Sequence, residues 1–322
     1  MMSSVDINGK SSVKMNGQDR GLLPRFVLIT PAHNEEALIK KTIESVISQT
    51  ILPMRWVIVD DGSTDSTAEI VQGYAKQFRW IELIQRPQRQ DRNFAGKAHA
   101  FNAGFERVRS FQFEVIGNLD ADISFERDYF EFMLTKFAEF PQLGVAGTAM
   151  REASYDAIKD SFYHASDVFG ACQLFRRECF EEVGGYTPIK CGGIDWIAVR
   201  TARLKGWQTK SFCDKLFYHH RPMGETGSTT WKARFDYGRK EYLLGNHPFW
   251  QIFRVSYQML KRPYLIGGLL LFSGYVYAFA CRMKRPVDAE LLKFHRKEQL
   301  SRLKCLFVRL LKTGRLELHK RS

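Results

Sequence analysis

The chain has 322 residues, of which 44% are hydrophobic, and its formal net charge is +13. This composition excludes an intrinsically disordered protein and allows one large α/β domain with an appendage, or two small domains. The positive charge points to an anionic partner such as a nucleic acid, a membrane surface or a phosphorylated substrate. The sequence has no zinc-finger, basic-zipper or RNA-recognition pattern, so we expect no nucleic-acid partner.

Six cysteines are present, and none forms a C-x-x-C pair. This argues against a zinc site and favours small buried thiols in a reducing compartment. The first 23 residues are polar and have no apolar run like that of a signal peptide. We therefore expect a disordered leader over residues 1–23 and a catalytic part that stays in the cytoplasm.

Short apolar runs alternate with helical patterns over the first half of the chain. The predicted strands cover 25–30, 56–59, 80–84, 113–119 and 143–149. The predicted helices cover 36–48, 63–78, a stretch ending near 108, and 127–140. This alternation predicts βαβ units and a mostly parallel central sheet flanked by helices.

Polar clusters follow three of the predicted strands, at the point where each strand ends. They are Pro31-Ala32-His33-Asn34-Glu35, Asp60-Asp61-Gly62 and Asp120-Ala121-Asp122. In open α/β sheets, ligands bind outside the carboxyl ends of the strands. We therefore expect the three clusters to converge on one ligand site.

Two pairs of acids in these clusters suggest specific chemistry. Asp120 and Asp122 can together hold a hard divalent cation, and that cation can neutralise a diphosphate leaving group. Asp60 and Asp61 can accept hydrogen bonds from a nucleobase imide or a ribose hydroxyl. Turn and helix-cap chemistry is the alternative explanation for both pairs.

In the second half of the chain, predicted strands and helices no longer alternate regularly. The pairs Gly184-Gly185 and Gly192-Gly193 indicate flexible joints around an active-site loop. A helix is predicted over 195–204 and a strand over 207–213. We expect the globular part to end near Gly227.

Residues 264–281 form an uncharged, apolar segment of 18 residues. At ~1.5 Å per residue a helix of this length reaches about 27 Å, which is marginal for a membrane span. Three alternatives stay open: a re-entrant or interfacial helix, a single span, and a buried helix of a soluble domain. Residues 291–311 alternate apolar and basic side chains, which predicts a helix on an anionic membrane surface or one packed on its own domain.

The clusters also carry a resemblance. The runs Thr30–Glu36, Val59–Thr67 and Asp120-Ala121-Asp122 are similar, in order and spacing, to the three signatures of the family 2 glycosyltransferases. The resemblance covers roughly residues 26–227. It implies the GT-A fold, a nucleotide-diphosphate sugar as donor (a UDP-sugar by family habit), Mg²⁺ or Mn²⁺ as cofactor, and inversion at the anomeric carbon.

The same resemblance implies a division of the chain into regions. A GT-A catalytic domain would cover 24–230, with a nucleotide-binding half over 24–122 and an acceptor-binding half over 123–230. The remaining residues, 231–322, would form a helical, basic and apolar region that associates with membranes.

Donor-site residues follow from the matched motifs. The resemblance implies that the nucleotide-sugar site is lined by Pro31, Ala32, Asn34, Glu35, Asp60, Asp61, Lys97, Asp120, Ala121 and Asp122. It leaves open which of Asp60 and Asp61 contacts the base, and it makes Arg92 a second basic candidate beside Lys97. A solvated lysine at a helix start is the alternative for Lys97. Asp122 would bind the metal, and Asp120 the ribose or the metal.

Catalytic and metal-binding residues are also implied downstream. The resemblance places the general base in an acidic motif at a helix start, which here is Gly192–Trp196. The family usually has two adjacent acids there; Ile194 replaces the first, so the implied base is Asp195, with a helix cap as the alternative role. His219 and His220 precede Arg221, and either imidazole is a candidate metal ligand.

The family's processive synthases carry a Q-x-x-R-W motif that this sequence lacks, since residues 231–235 read WKARF. We therefore expect transfer of one sugar. The apolar segment and the basic tail favour a membrane-linked acceptor, such as a polyprenyl-linked glycan. The reaction would serve cell-surface or extracellular polysaccharide synthesis at the cytoplasmic face of the membrane. Direct transfer to polyprenyl phosphate is a close alternative. A Mg²⁺-dependent nucleotidyltransferase is the alternative of another class.

Overall fold

The computed structural model describes residues 23–88, 94–152, 164–221, 230–261 and 264–313. Residues 1–22 of the expected leader and the donor candidate Arg92 lie outside the described residues.

The described strands form one eight-stranded sheet in the order β3-β2-β1-β4-β7-β6-β8-β5. The strands are β1 Phe26–Ala32, β2 Arg55–Asp60, β3 Ile81–Gln85, β4 Val115–Leu119, β5 Ile123–Phe125, β6 Leu143–Arg151, β7 Cys172–Arg176 and β8 Gln208–His219. The pairings among β1, β2, β3 and β4 are parallel, as the alternating pattern predicts. β7 runs antiparallel to β4 and β6, and β5 runs antiparallel to β8, so the whole sheet is mixed.

The described helices flank this sheet and follow it. They are α1 Ile39–Ile47, α2 Thr67–Gln77, α3 Ala95–Val108, α4 Tyr129–Glu139, α5 Arg177–Val183, α6 Ile194–Leu204, α7 Thr230–Leu243, α8 Pro248–Met259, α9 Ile266–Ala280 and α10 Ala289–Thr313. The predicted helices α1 to α4 and α6 are all found, with ends shifted by up to four residues. The sequence analysis did not predict β5, β7 or α5.

Alternate residues of the parallel strands pack against opposite helical layers. In β1, Phe26 and Leu28 belong to one buried cluster, whereas Val27 and Ile29 belong to a second cluster on the other face. A strand that is covered on both faces must be apolar throughout, which explains the unbroken hydrophobic runs in the sequence. The polar residues are thereby confined to the strand ends.

The strand β8 is longer than the predicted run at 207–213 and has an irregularity in its pairing with β6. Beyond that shift it pairs with β5, where Ile123 lies opposite His219. This pairing brings the end of β8 next to the turn after β4. The end of β8 therefore lies beside the carboxyl ends of the parallel strands.

The four last described helices pack against one another at glycines. A Cβ on Gly274 of α9 would lie 2.0 Å from the carbonyl oxygen of Phe235 in α7, and a Cβ on Gly238 of α7 would lie 2.0 Å from that of Leu271. Only glycine allows the two backbones to approach so closely. Within the described part of the chain, no helix combines the length and the apolar character needed to cross a membrane.

The C-terminal helix α10 also contacts the catalytic part. Glu298 of α10 accepts hydrogen bonds from Arg200 (2.6 Å) and Arg203 (2.9 Å) of α6. The expected boundary at residue 230 stays a prediction, but packing between the two regions is continuous across it.

Candidate active site

The loops after β1 and β2 are joined by hydrogen bonds between side chains and backbone. Asn34 adopts a left-handed conformation (φ 56°), and its Oδ1 accepts from the backbone N of Thr64 at 2.8 Å. The backbone N of Glu35 donates to Oγ1 of Thr67 at 2.7 Å. The run that follows β2 is therefore a scaffold for the run that follows β1, which explains why serine and threonine recur in it.

The acids at the end of β2 are both buried. Oδ1 of Asp60 accepts from the backbone N of Ser63 at 3.0 Å, and Oδ1 of Asp61 accepts from Nη1 of Arg86 at 2.8 Å. The backbone N of Asp61 donates to the carbonyl of Ala32 at the end of β1. Pro31, beside it, is half-buried in β1. The two strand ends thus meet, as expected.

Asp120 and Asp122 lie in the turn that joins β4 to β5. Between them, the carbonyl oxygen of buried Ala121 accepts from Oγ1 of Thr42 in α1 at 2.7 Å, which holds the turn in place. The carboxylate of Asp120 forms an ion pair with Nζ of Lys97, from the start of α3. Lys97 is therefore not a solvated surface lysine.

Asp122 is buried beside two basic side chains. Its Oδ1 lies 3.5 Å from Nε2 of His219, and its Oδ2 lies 3.9 Å from Nε of Arg221. Burial raises the pKa of Asp122, and the charge of Asp120 adds to this, whereas His219, Arg221 and Lys97 oppose it. Oδ1 of Asp122 is buried without a hydrogen-bond partner among the described residues.

Glu35 lies beside Arg221, close to Asp122. Its Oε2 accepts from Nη2 of Arg221 at 2.5 Å. Burial raises the pKa of Glu35 to about 7, and repulsion from Asp122 adds to this effect, while Arg221 opposes it. Acids from the ends of β1 and β4 therefore lie close enough to affect one another's protonation.

The two histidines at the end of β8 face different partners. His219 lies against Asp122 on one side, and its Nδ1 lies 3.2 Å from Oε1 of Glu152 on the other. His220 instead places Nε2 2.8 Å from Oγ of Ser124. Burial lowers the pKa of His220. Of the two candidate ligands, His219 is the one beside the acids.

Asp195 lies in the first turn of α6, after Gly193, which has a left-handed φ of 92°. A Cβ on Gly170 would lie 2.2 Å from Oδ2 of Asp195, so the carboxylate is in direct contact with that backbone. The carbonyl of Gly170 lies 3.5 Å from Nζ of Lys97. Asp195 and Lys97 thus both approach the backbone of Gly170, and Lys97 is the ion-pair partner of Asp120.

The pKa of Lys97 reflects this crowding of acids. Burial lowers it, but the carboxylates of Asp120, Asp195 and Asp122 together outweigh burial, so the net shift is upward. Lys97 therefore stays charged and screens the acids from one another.

Two residues at this site escaped the sequence analysis. Arg86 follows β3 and pairs with Asp61, and Glu152 follows β6 and lies beside His219. Both stand directly after a strand. The rule that identified the three clusters, applied to every predicted strand, would have found them.

The side chains at this site are of the types that bind a hard divalent cation. Among the described residues, no group of three Asp, Glu, His or Cys side chains is already arranged as a metal site. The two carboxylates and one imidazole here are Asp120, Asp122 and His219, and Oδ1 of Asp122 has no partner. Protein sites for Mg²⁺ commonly supply one or two carboxylates and leave the other positions to phosphate and water. The residues fit that pattern.

Comparison with known proteins agrees with this geometry. Residues 27–159 match the model of Glycosyl transferase family 2. The probable glycosyltransferase YdaM of Bacillus subtilis is 23% identical over 290 residues, which cover 82% of this chain and 66% of YdaM. The poly-β-1,6-N-acetyl-D-glucosamine synthase of Staphylococcus epidermidis is 31% identical over 245 residues, which cover 68% of this chain and 55% of the synthase. The chain spans less than two thirds of the length of these relatives.

Solved structures resemble the fold. The mannosyltransferase PcManGT from Pyrobaculum calidifontis, in complex with GDP-Man and Mn²⁺, has a TM-score of 0.53 at 19% identity, covering 91% of this chain and 79% of that one. S. aureus TarS 1–349, in complex with UDP-GlcNAc, has a TM-score of 0.50 at 15% identity, covering 83% and 77%. The mixed sheet flanked by helices is the GT-A fold. With the three motifs at the strand ends and the family match over them, residues 27–159 belong to family 2 of the glycosyltransferases.

Proposed function

We propose that the chain transfers a single sugar from a nucleotide-diphosphate sugar to a hydroxyl of an acceptor, with inversion. The observation that carries this proposal is the meeting of the donor-side acids Asp120 and Asp122 with Asp195 around Lys97. A donor site and a candidate base must be adjacent for an acceptor oxygen to attack the anomeric carbon.

The donor would bind across the ends of β1, β2 and β4. Asp60 and Asp61 are the acceptors for the nucleoside, and Asp120, Asp122 and His219 would hold Mg²⁺ or Mn²⁺. That cation would neutralise the charge that develops on the diphosphate leaving group. The bound GDP-Man and UDP-GlcNAc of the neighbouring structures support a nucleotide-sugar donor, and UDP is our default.

Asp195 would accept the proton of the acceptor hydroxyl as that oxygen attacks. Its contact with the backbone of Gly170 restricts the carboxylate, so that little reorganisation is needed for proton transfer.

We further propose that the acceptor is a membrane-linked glycan and that the enzyme works at the cytoplasmic face of the membrane. An exposed apolar stripe supports this: Leu265, Leu269, Phe272, Val276 and Phe279 recur at intervals of three and four residues along α9. Exposed Phe249 and Ile252 of α8 extend the apolar surface. We call these seven residues the apolar face.

Charge supports the same proposal. Basic Lys261 precedes α9, and Arg282 and Lys284 follow it. An apolar helix face with basic ends fits the interface of an anionic bilayer. The staphylococcal relative is a polysaccharide synthase, which supports a role in cell-surface polysaccharide synthesis.

The test is to measure nucleoside diphosphate release from a panel of UDP-, GDP- and dTDP-sugars, with membrane extract as acceptor, with and without Mn²⁺. We expect release from one donor class, dependent on the metal, and loss of tight metal-dependent donor binding in Asp122→Ala. The glycolipid products are then given a treatment that cleaves glycan linkages but not sugar phosphates. Cleavage indicates a glycan acceptor, and resistance indicates polyprenyl phosphate. No release from any donor would contradict the proposal.

A further inference from the structure

A cavity of about 360 Å³ lies beside Asp195, between α6 and the C-terminal helices. Its lining includes Asp195 and Trp196 of α6, Tyr237 of α7, Trp250 of α8 and His295 of α10. The volume lies within the range of roughly 300–1,000 Å³ that is usual for small-ligand pockets. One wall therefore carries the candidate base, and the other walls come mostly from the C-terminal helices. The whole lining lies beyond the family match, which ends at residue 159.

The charged side chains of this cavity are mostly neutralised by one another. The ion pairs are Arg254–Glu241 at 2.8 Å, Arg200–Glu298 at 2.6 Å and Arg302–Asp167 at 3.1 Å. Lys240 and Asp195 add one charge of each sign. A wall with many polar atoms and little net charge suits a neutral, hydroxyl-bearing ligand better than a phosphate.

His295 is the unusual member of the lining, because it is only 2% exposed. Its Nε2 lies 3.1 Å from Oδ1 of Asn246, which also accepts from Nε2 of Gln299 at 2.8 Å. The amide of Asn246 is oriented by its Nδ2, which donates to Oε1 of Gln251 at 3.3 Å. Since Oδ1 of Asn246 cannot donate, Nε2 of His295 carries the hydrogen and Nδ1 has a lone pair.

That lone pair has no hydrogen-bond partner among the described residues, although Nδ1 is buried. Burial lowers the pKa of His295 to about 3, with Arg302 and Arg203 adding to the effect, so the ring stays neutral and Nδ1 stays an acceptor. A buried acceptor without a donor destabilises the fold, and a ligand hydroxyl would remove that penalty.

We propose that this cavity binds a neutral pyranose ring of the acceptor and that a hydroxyl of the ring donates a hydrogen bond to Nδ1 of His295. The rings of Trp196, Tyr237 and Trp250 offer apolar surface for the C–H faces of a sugar. The inference rests on the proposed function, since a transferase needs its acceptor beside Asp195. It assigns acceptor specificity to the C-terminal helices and makes the acceptor a glycan.

The first experiment titrates the full chain with cellobiose, lactose, maltose and N,N′-diacetylchitobiose, and records tryptophan fluorescence. Because Trp196 and Trp250 line the cavity, we expect a saturable change with at least one of these sugars. Inorganic phosphate, titrated in the same way, should cause none. Saturation by phosphate, or by none of the sugars, would overturn the proposal.

Two replacements of His295 distinguish the roles of its two ring nitrogens. In His295→Gln the amide can replace Nε2 and donate to Asn246, while the acceptor at Nδ1 is lost; in His295→Asn the amide takes the place of Nδ1. We expect sugar binding about tenfold weaker in His295→Gln, which is the scale of one lost hydrogen bond, and changed less than threefold in His295→Asn. The control is His99→Gln, on the exposed side of α3. Equal weakening by both His295 variants would overturn the role of Nδ1.

A measurement on the unaltered chain covers the case in which a variant does not fold. With ¹⁵N-labelled histidine, the resonance of unprotonated Nδ1 of His295 should move when the sugar is added. A sugar that saturates the fluorescence change without moving this resonance would overturn the assignment. If donor turnover with membrane extract proceeds but no sugar binds, the cavity proposal fails alone; if sugar binds but no donor is turned over, the proposed function fails alone.

Discussion

Lys97 lies among three of the candidate acids of the site. It forms an ion pair with Asp120, while Asp195 and Asp122 also raise its pKa against the effect of burial. The start of α3 therefore supplies a positive charge to the turn after β4 and to the start of α6.

The assignment of the base leads to a residue-level prediction. Asp195→Asn should reduce the rate of sugar transfer by about 10²–10⁴-fold, because the amide cannot accept the proton, while donor affinity stays within about threefold. Transfer is measured with saturating donor, and donor binding by calorimetry. Asp214→Asn, an exposed aspartate in β8, is the control and should behave as the parent. Normal transfer by Asp195→Asn would show that another group is the base.

Glu35 predicts a dependence of stability on pH. Folding raises its pKa from 4.5 to about 7, so the folded chain holds this proton more tightly than the unfolded chain. The resulting stability is complete below about pH 4.5 and is lost as the pH rises through 7, by roughly 3 kcal/mol in total. Relative to Glu35→Gln, the parent should therefore lose unfolding free energy between pH 4.5 and 8.

Urea unfolding of both proteins across that range measures the difference. Glu69→Gln, which changes an exposed glutamate of α2, serves as the control. A constant difference between the parent and Glu35→Gln would contradict the prediction.

At the scale of elements, the packing of α10 on α6 determines where the candidate base lies. Arg200 is buried and Arg203 is half-buried on α6, and both donate to Glu298 of α10. Asp167, ahead of β7, pairs with Arg200 from the other side at 3.0 Å. The helix that carries Asp195 is thus held between the catalytic sheet and the C-terminal helix.

Removing the carboxylate of Glu298 should be costly. Glu298→Gln leaves buried Arg200 and half-buried Arg203 with one charge partner fewer, although Asp167 still pairs with Arg200. We therefore expect a loss of unfolding free energy of about 1–3 kcal/mol. Glu290→Gln, on an exposed position of the same helix, should change it by less than about 0.5 kcal/mol. Chemical denaturation measures both. Equal stabilities of the two variants would mean that the contact between α6 and α10 contributes little.

At the scale of the whole molecule, the side chains of the apolar face are largely exposed, and the chain carries an excess of basic charge. The net charge of +13 is spread over a chain whose last helices expose large apolar side chains. Burial of each such side chain in a bilayer interface is worth about 1.5–3 kcal/mol, and attraction to anionic lipid adds to it.

This surface predicts binding to membranes. Leu269→Asp combined with Phe272→Asp should reduce co-sedimentation with phosphatidylglycerol-containing vesicles at least tenfold, while donor hydrolysis stays unchanged. Leu52→Asp, an equally exposed leucine far along the chain from α9, should bind vesicles as the parent does. High salt should weaken binding by the parent. Undiminished sedimentation of the double variant would contradict the proposed membrane face.

The sequence by itself determined the parallel half of the sheet and the positions of the polar clusters. Strands such as β1 and β4 are covered on both faces, so their hydrophobic runs are unbroken and end where the chain leaves the core. The acids that follow, Asp60, Asp61, Asp120 and Asp122, are placed by that local rule. These parts were predictable because they depend on neighbours in the chain.

The tertiary structure alone decided which residues complete the site. Whether His219 or His220 faces Asp122 depends on the register of β8 with β5, and a shift of one residue would exchange them. The contact of Asp195 with Gly170, and the cavity closed by His295, join segments far apart in sequence. Periodicity reports burial along one segment, whereas register and helix packing depend on which distant segments meet, and no local pattern carries that information.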